Sequence, residues 1–150
     1  NIFMGKELRY PFGFIREKEQ IREANRLIRE IGFTSELINA DSPVGNLSGG
    51  ERQGVAIARA IYNNAELIIL DEPTNNLSLN ETQKVFDFVL NVKKSNRSVL
   101  FIGHNIYHVY DISDRFVILD RGEVVHQINK EDIGTPEELM KIMRDTIKSH

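Results

Sequence analysis

Two short segments of this 150-residue chain hold the residues best suited to chemistry. The first is Asn46-Leu47-Ser48-Gly49-Gly50-Glu51-Arg52-Gln53, a serine and a glycine pair at the predicted start of a helix. Glycine lets a backbone approach an anion closely, and the first N–H groups of a helix have no intrahelical acceptor. The helix dipole adds to that attraction, so this end suits a phosphate, with the Ser48 hydroxyl as a further ligand. A plainer alternative, Ser48 as a simple N-cap and the glycines as a turn, is the better choice for this segment taken alone.

The second segment is Leu67-Ile68-Ile69-Leu70-Asp71-Glu72-Pro73-Thr74, an apolar strand ending in two carboxylates, with Pro73 stopping the strand. Adjacent carboxylates are costly unless solvated or paired with a cation. Asp71 suits Mg²⁺, directly or through water, and Glu72 suits orienting or deprotonating an attacking water. Solvated acids at a strand end are the ordinary alternative. Together the two segments suit a nucleoside triphosphate, yet nowhere in the chain is there a G-x-x-x-x-G-K-[ST] loop. His104 follows a second apolar run, residues 99–102, and is expected at the same sheet edge as Glu72, where it could donate to a transferring phosphate. His104 and His108 also have the i, i+4 spacing of a metal pair, but no third ligand accompanies them, and His108 reads as structural.

The elements that must position these residues fall into two textures. Residues 1–64 read as helical and charged, and residues 65–150 as the α/β part. In residues 17–31 the apolar positions Ile21, Ala24, Leu27, Ile28 and Ile31 share one face, Gly32 marks the stop, and Arg22, Glu23, Arg26, Arg29 and Glu30 form a solvated face. A helix from about Ser48 to Tyr62 is expected to bury Ala56, Ile57, Ala60 and Ile61. The continuous apolar runs at 67–70 and 99–102 predict parallel strands covered on both faces. Between them Ser78 and Glu81 make a capping box for a helix burying Val85, Phe86, Val89 and Leu90. Residues 116–119 and 123–127 flank Asp120-Arg121-Gly122 as a hairpin, and Thr135-Pro136-Glu137-Glu138 opens a last helix with Leu139, Ile142, Met143 and Ile147 inward.

Composition narrows the partners. Net charge is −3, from 19 Lys and Arg against 22 Asp and Glu, and the signs are interspersed, which excludes a nucleic-acid stripe or a polybasic membrane arm. There is no cysteine, which fits a reducing compartment, and the apolar runs are too short to span a bilayer. A first residue of Asn1 rather than Met reads as a piece of something longer.

Taken in order and spacing, these motifs resemble the ATP-binding cassette (ABC) ATPases. Leu47-Ser48-Gly49-Gly50-Glu51 resembles their signature motif, 67–72 their Walker B strand with its catalytic glutamate, Asn75-Asn76-Leu77-Ser78 their D-loop, and His104 their switch histidine. Asn1-Ile2-Phe3-Met4-Gly5-Lys6-Glu7, Ala58-Arg59-Ala60, His104-Asn105, Asp114-Arg115-Phe116 and Gly134-Thr135-Pro136-Glu137-Glu138-Leu139 are similar to the ATPase subunits of simple-sugar importers. Ser78 stands where the D-loop usually ends in Asp, and Glu51 where Gln is commoner. The resemblance implies a partial P-loop NTPase core with a helical signature subdomain, using ATP and Mg²⁺. Leu47, Ser48, Gly49, Gly50 and Glu51 would form the nucleotide-binding signature motif, Ser48, Gly49 and Gly50 contacting the γ-phosphate of an ATP held mainly by a second ATPase subunit; Asp71 would support Mg²⁺, Glu72 would polarise the water and His104 would stabilise the γ-phosphate. The implied partners are transmembrane permease subunits and an extracytoplasmic sugar-binding protein, with no nucleic acid. The implied location is cytoplasmic, on the inner face of the cell membrane. The Walker A strand would lie between the strands at 99–102 and 116–119; without it the sheet is expected to rearrange or pair with a second copy, and the chain alone is expected to be inactive. The alternatives are an ABC ATPase outside transport and a non-catalytic module that lends its signature motif to a complete partner.

Overall fold

The structure, a computed structural model, describes residues 1–31, 39–75 and 77–149, so the expected stop at Gly32 and the D-loop residue Asn76 lie outside the described residues. The architecture is α/β, in two compact units, residues 1–100 and 101–150. Helix α1 (Glu17–Glu30) and helix α2 (Gly49–Tyr62) pack against each other in the first unit. Strand β1 (Leu67–Asp71), helix α3 (Leu79–Lys94) and strand β2 (Ser98–Ile102) follow as a β-α-β unit, whose two strands form a small parallel sheet.

Helix α1 buries Ala24, Leu27 and Ile28, with Ile31 buried just beyond its end, along the stripe read from the sequence. On its solvated face Arg26 pairs with both Glu23 and Glu30, at 2.7 and 2.6 Å. Phe3 meets Tyr62 edge-on, with ring centroids 4.6 Å apart, and the Tyr62 hydroxyl donates to the Lys6 carbonyl, so the N-terminal residues are held against the end of α2.

Three buried stripes differ from expectation. Helix α2 buries Gly50, Gly54, Ile57 and Ala58, while Ala56 is exposed and Ala60 and Ile61 are half-buried. Its inner face takes in Gly50, where a Cβ would collide with Glu81, and the buried Gly54. In α3, Thr82, Phe88 and Val92 join Val85 and Val89, leaving Phe86 half-buried and Leu90 exposed. Ile147 near the C-terminus is exposed. In α2 and α3 several apolar residues compete for the inward positions, and only packing selects between them.

The sheet departs further. Ile68 and Leu70 of β1 are buried, but Leu67 and Ile69 are 55% and 60% exposed, so the run that predicts two covered faces has one bare. Among the described residues no layer covers that second face.

In the second unit, helix α4 (Ile106–Ile112) leads to strands β3 (Arg115–Asp120) and β4 (Glu123–Asn129) and helix α5 (Pro136–Ser149). The strands form an antiparallel hairpin with a bulge at Ile118/Leu119, separate from the β1–β2 sheet. Its two-residue turn has Arg121 at φ 48° and Gly122 at φ 87°, the primed turn that matches strand twist and that glycine permits. Tyr110, Phe116, Ile133 and Leu139 form the core, the Tyr110 hydroxyl donating to the Ile133 carbonyl at 2.9 Å. Thr135 caps α5 by accepting from the Glu138 N–H at 3.2 Å. Val117 and Leu119 of the hairpin point outward and are exposed.

Leu139 is 1% exposed at the centre of this core, whereas Ile147 is 44% exposed. Leu139→Ala is expected to destabilise the second unit by about 2–5 kcal/mol and Ile147→Ala by less than about 0.5 kcal/mol, read by chemical denaturation.

Candidate functional site

Ser48 is the N-cap of α2, and a reciprocal capping box holds it. Its hydroxyl oxygen accepts from the Glu51 N–H at 3.2 Å, and the Glu51 carboxylate accepts from the Ser48 N–H at 2.7 Å. The first backbone bond of the helix runs from the Arg52 N–H to the Ser48 carbonyl at 3.0 Å. Gly49 and Gly50 therefore have N–H groups with no acceptor inside the helix, at its positive end. The cap uses only the acceptor side of the Ser48 hydroxyl, which leaves its proton to donate. The capping role and the anion-binding role are compatible in this geometry. Leu47 is buried and its carbonyl accepts from Arg52 Nη1 at 2.6 Å, which fixes the approach to the helix.

The two glycines differ. A Cβ on Gly49 would meet nothing within 4 Å, and the residue is exposed. Gly50 is buried, and a Cβ there would lie 2.5 Å from Glu81 Oε1, 2.8 Å from Glu81 Cδ and 3.2 Å from a Leu77 methyl. Gly49 is the open approach, and Gly50 is the point where α2 rests on the start of α3.

That start is a second capping box. Ser78 is the N-cap of α3; Glu81 accepts from the Ser78 N–H at 2.9 Å and from its hydroxyl at 2.8 Å. These bonds, the backbone one foremost, hold the Glu81 carboxyl below its ordinary value of 4.5. The capping box was legible in the sequence as Ser78 followed by Glu81. Its contact with Gly50 was not, because it joins residues 31 positions apart.

Asp71 and Glu72 end β1, both exposed. Glu72 has φ 44°, in the left-handed region, which costs a non-glycine residue about 1 kcal/mol or more. The turn Glu72-Pro73-Thr74-Asn75 closes with the Asn75 N–H donating to the Glu72 carbonyl at 3.1 Å, with Pro73 at the position its fixed φ favours. The Asn75 side-chain amide donates to Glu72 Oε2. Leu77 N–H then bonds the Thr74 carbonyl at 3.4 Å, and the chain reaches Ser78. One unit thus brings together the α2 start, the α3 start and the linker from the strand-end carboxylates.

Asp71 offers hard, solvent-facing oxygens of the kind Mg²⁺ prefers. Among the described residues no group of three or more His, Cys, Asp or Glu could cage a metal unaided. A Mg²⁺ ion completed by waters and substrate phosphates needs no such cage, so the residues fit it. His104 lies in the second unit, exposed, at the exit of β2. Asn105 next to it caps α4, its side-chain oxygen accepting from the His108 N–H at 3.4 Å; half-buried His108 is part of that helix.

Comparison with known proteins gives this geometry a context. The profile of the ABC transporter family matches residues 4–75. The chain is 39% identical over 143 residues to the xylose/arabinose import ATP-binding protein of Sulfolobus acidocaldarius, covering 95% of this chain and 55% of that one. It is 33% identical to the fructose import ATP-binding protein of Rhizobium meliloti, covering 88% and 53%. A ribose import ATP-binding protein of Escherichia coli O157:H7 is 32% identical, covering 95% and 27%. The chain therefore spans about half the length of the first and second of these relatives and about a quarter of the third. Among solved structures, an inward-facing ABC transporter of the metal-chelate type superposes with a TM-score of 0.71 at 26% identity, covering 95% and 56%. A dimeric ATP-binding cassette in a post-hydrolysis state with ADP and Pi gives 0.69 at 26% identity, covering 85% and 53%.

Gly50→Ala is expected to push Glu81 out of its box and destabilise the chain by about 1 kcal/mol, the worth of a cap, although alanine normally improves a helix. In a Glu81→Ala background the same substitution is expected to lose most of its cost, a coupling read from a double-mutant cycle in urea. Because the folded-state carboxyl of Glu81 titrates below 4.5, its contribution is complete above that value. It is expected to disappear as pH falls through the lower folded-state value, and Glu81→Gln is expected to flatten that acid limb.

Proposed function

Since the chain belongs to the ATP-binding cassette transporter family, we propose that it forms the signature and Walker B portion of an ATP-hydrolysing subunit that drives import of a simple sugar. The observation that carries this is the joining, within one compact unit, of a serine-capped glycine helix start and a strand ending in Asp71-Glu72 through the 75–78 linker. The sugar-import relatives support the transport assignment.

In this proposal two subunits close head to tail on ATP. The Ser48 hydroxyl and the N–H groups of Gly49 and Gly50 donate to γ-phosphate oxygens of a nucleotide held mainly by the opposite subunit, with Leu47 and Glu51 shaping that helix start. Preorganised donors of this kind stabilise charge as it develops and need no reorganisation. Glu72 accepts a hydrogen bond from the attacking water and takes its proton as the water oxygen bonds to the γ-phosphorus and the bond to the ADP oxygen breaks. His104 donates to the transferring phosphoryl group. Asp71 would hold Mg²⁺, directly or through water, and the ion would supply charge neutralisation. Asn75, Asn76, Leu77 and Ser78 serve as the D-loop. Residues before about Asn46 belong to the helical lobe that faces the permease, whose alternation follows closure and reopening of the pair. The subunit works at the inner face of the cell membrane, with an extracytoplasmic sugar-binding protein delivering the sugar. No described helix is long and apolar enough to cross a membrane itself.

The 150 residues contain no G-x-x-x-x-G-K-[ST] loop, so turnover by them alone is expected to be negligible for want of phosphate positioning. In the cassette completed to its relatives' length, Glu72→Gln is expected to lower ATP turnover by about 10²–10⁴-fold while leaving ATP binding intact. Steady-state phosphate release and nucleotide titration measure the two; a Glu72→Gln protein that still turns over ATP would overturn the assignment.

A further inference from the structure

The two capping boxes of the first unit use their serine hydroxyls differently. In the box of α2, the Glu51 carboxylate accepts from the Ser48 backbone N–H, and the Ser48 hydroxyl serves as an acceptor. In the box of α3, Glu81 Oε2 accepts from the Ser78 N–H at 2.9 Å and also from the Ser78 hydroxyl at 2.8 Å. The Ser78 proton is therefore committed to Glu81. Two donors on one oxygen fix the direction of the whole carboxylate, and its other oxygen, Oε1, lies against Gly50. A Leu77 methyl closes on the same glycine. Leu77, Ser78 and Glu81 thus form the seat on which the first turn of α2 rests. Capping alone does not require that seat, since an oxygen at Ser78 accepting from the Glu81 N–H would suffice.

We propose that Ser78 and Glu81 are a positioning pair for the start of α2: the Ser78 hydroxyl turns the Glu81 carboxylate onto Gly50, and the carboxylate sets where Ser48, Gly49 and Gly50 present their donors. This rests on the α2 start being the part that receives a γ-phosphate. That phosphate belongs to the nucleotide held by the opposite subunit, so the pair acts across the interface and not on the water-activating group of its own subunit. Backbone donors at a helix start aim where the helix aims. A small displacement of α2 therefore moves all of them together, away from the phosphate oxygens they are preorganised to meet.

The test is steady-state ATP hydrolysis by the cassette completed to its relatives' length, run well below the melting temperature of each variant. Under that condition a loss of stability alone leaves turnover unchanged. Ser78→Asp keeps a good N-cap acceptor but removes the proton and sets two carboxylates against each other. It is expected to lower kcat/KM for ATP about tenfold, while nucleotide binding to the separate subunit stays within about twofold. Adding Glu81→Gln removes the repulsion and supplies an amide donor, and it is expected to recover most of the loss. Were Ser78 itself the group that meets the opposite subunit, Glu81→Gln would recover nothing. Parent-like kcat/KM for Ser78→Asp, or a loss that Glu81→Gln does not recover, would overturn the positioning role. Gly49→Asp tests the underlying reading by itself, since a Cβ there meets nothing within 4 Å and leaves Glu81 untouched. It puts a negative charge at the open helix start and is expected to lower kcat/KM about tenfold or more. If Gly49→Asp loses turnover while Ser78→Asp does not, the positioning role is wrong and the phosphate site stands. If Gly49→Asp turns over like the parent, the α2 start does not receive the phosphate, and the positioning role fails with it.

Discussion

The contact between Gly50 and the Glu81 carboxylate is the constraint on which the arrangement of the first unit turns. Two helices begin side by side there, each closed by a serine–glutamate box, and each box satisfies donors that a helix start would otherwise leave open. The glycine allows the two starts to touch at a distance no side chain would permit. Helix α2 presents its free N–H groups at this point, and α3 is the continuation of the turn that carries Glu72. Joining them brings the glycine helix start and the strand-end carboxylates into one compact unit. The box uses the Ser48 hydroxyl only as an acceptor, so capping does not consume its proton.

Backbone strain is concentrated where this piece meets the strand. Glu72 occupies a conformation that suits glycine, and the turn through Pro73 and the two bonds from Asn75 hold it there. Strain of this kind persists only when its surroundings over-determine it, and such positions gather at functional sites. A glycine would relieve the strain but would remove the carboxylate. The chain keeps the carboxylate and supports it with the asparagine.

Both sheets carry apolar residues that nothing among the described residues covers. Leu67 and Ile69 of β1, like Val117 and Leu119 of the hairpin, are apolar, outward and exposed, and neither sheet shares a strand with the other. Strands this uniformly apolar are characteristic of sheets covered on both faces. Relatives roughly twice as long share this stretch of sequence. The exposed residues record a packing demand that is written into the strands themselves.

Much of this was legible from residue order, because it is local. The Ser78–Glu81 capping box, the proline-started last helix, the Arg121-Gly122 turn and the strand ending at Asp71 depend on neighbours within four positions, and each formed as read; the Ser48–Glu51 box is equally local, but only Ser48 as a cap was read. The inner faces of α2 and α3 were read about one residue out, since periodicity alone does not rank Ala56 against Ala58 or Phe86 against Phe88. Sequence by itself determined the motifs, their order and the chemistry their side chains can perform. Tertiary structure alone decided that Gly50 meets Glu81, 31 positions away, and that one face of each apolar strand stays bare. The reason is physical: hydrogen-bonding chemistry and capping act over a few residues of chain, while close approach and burial are set by which distant elements come to share the same space.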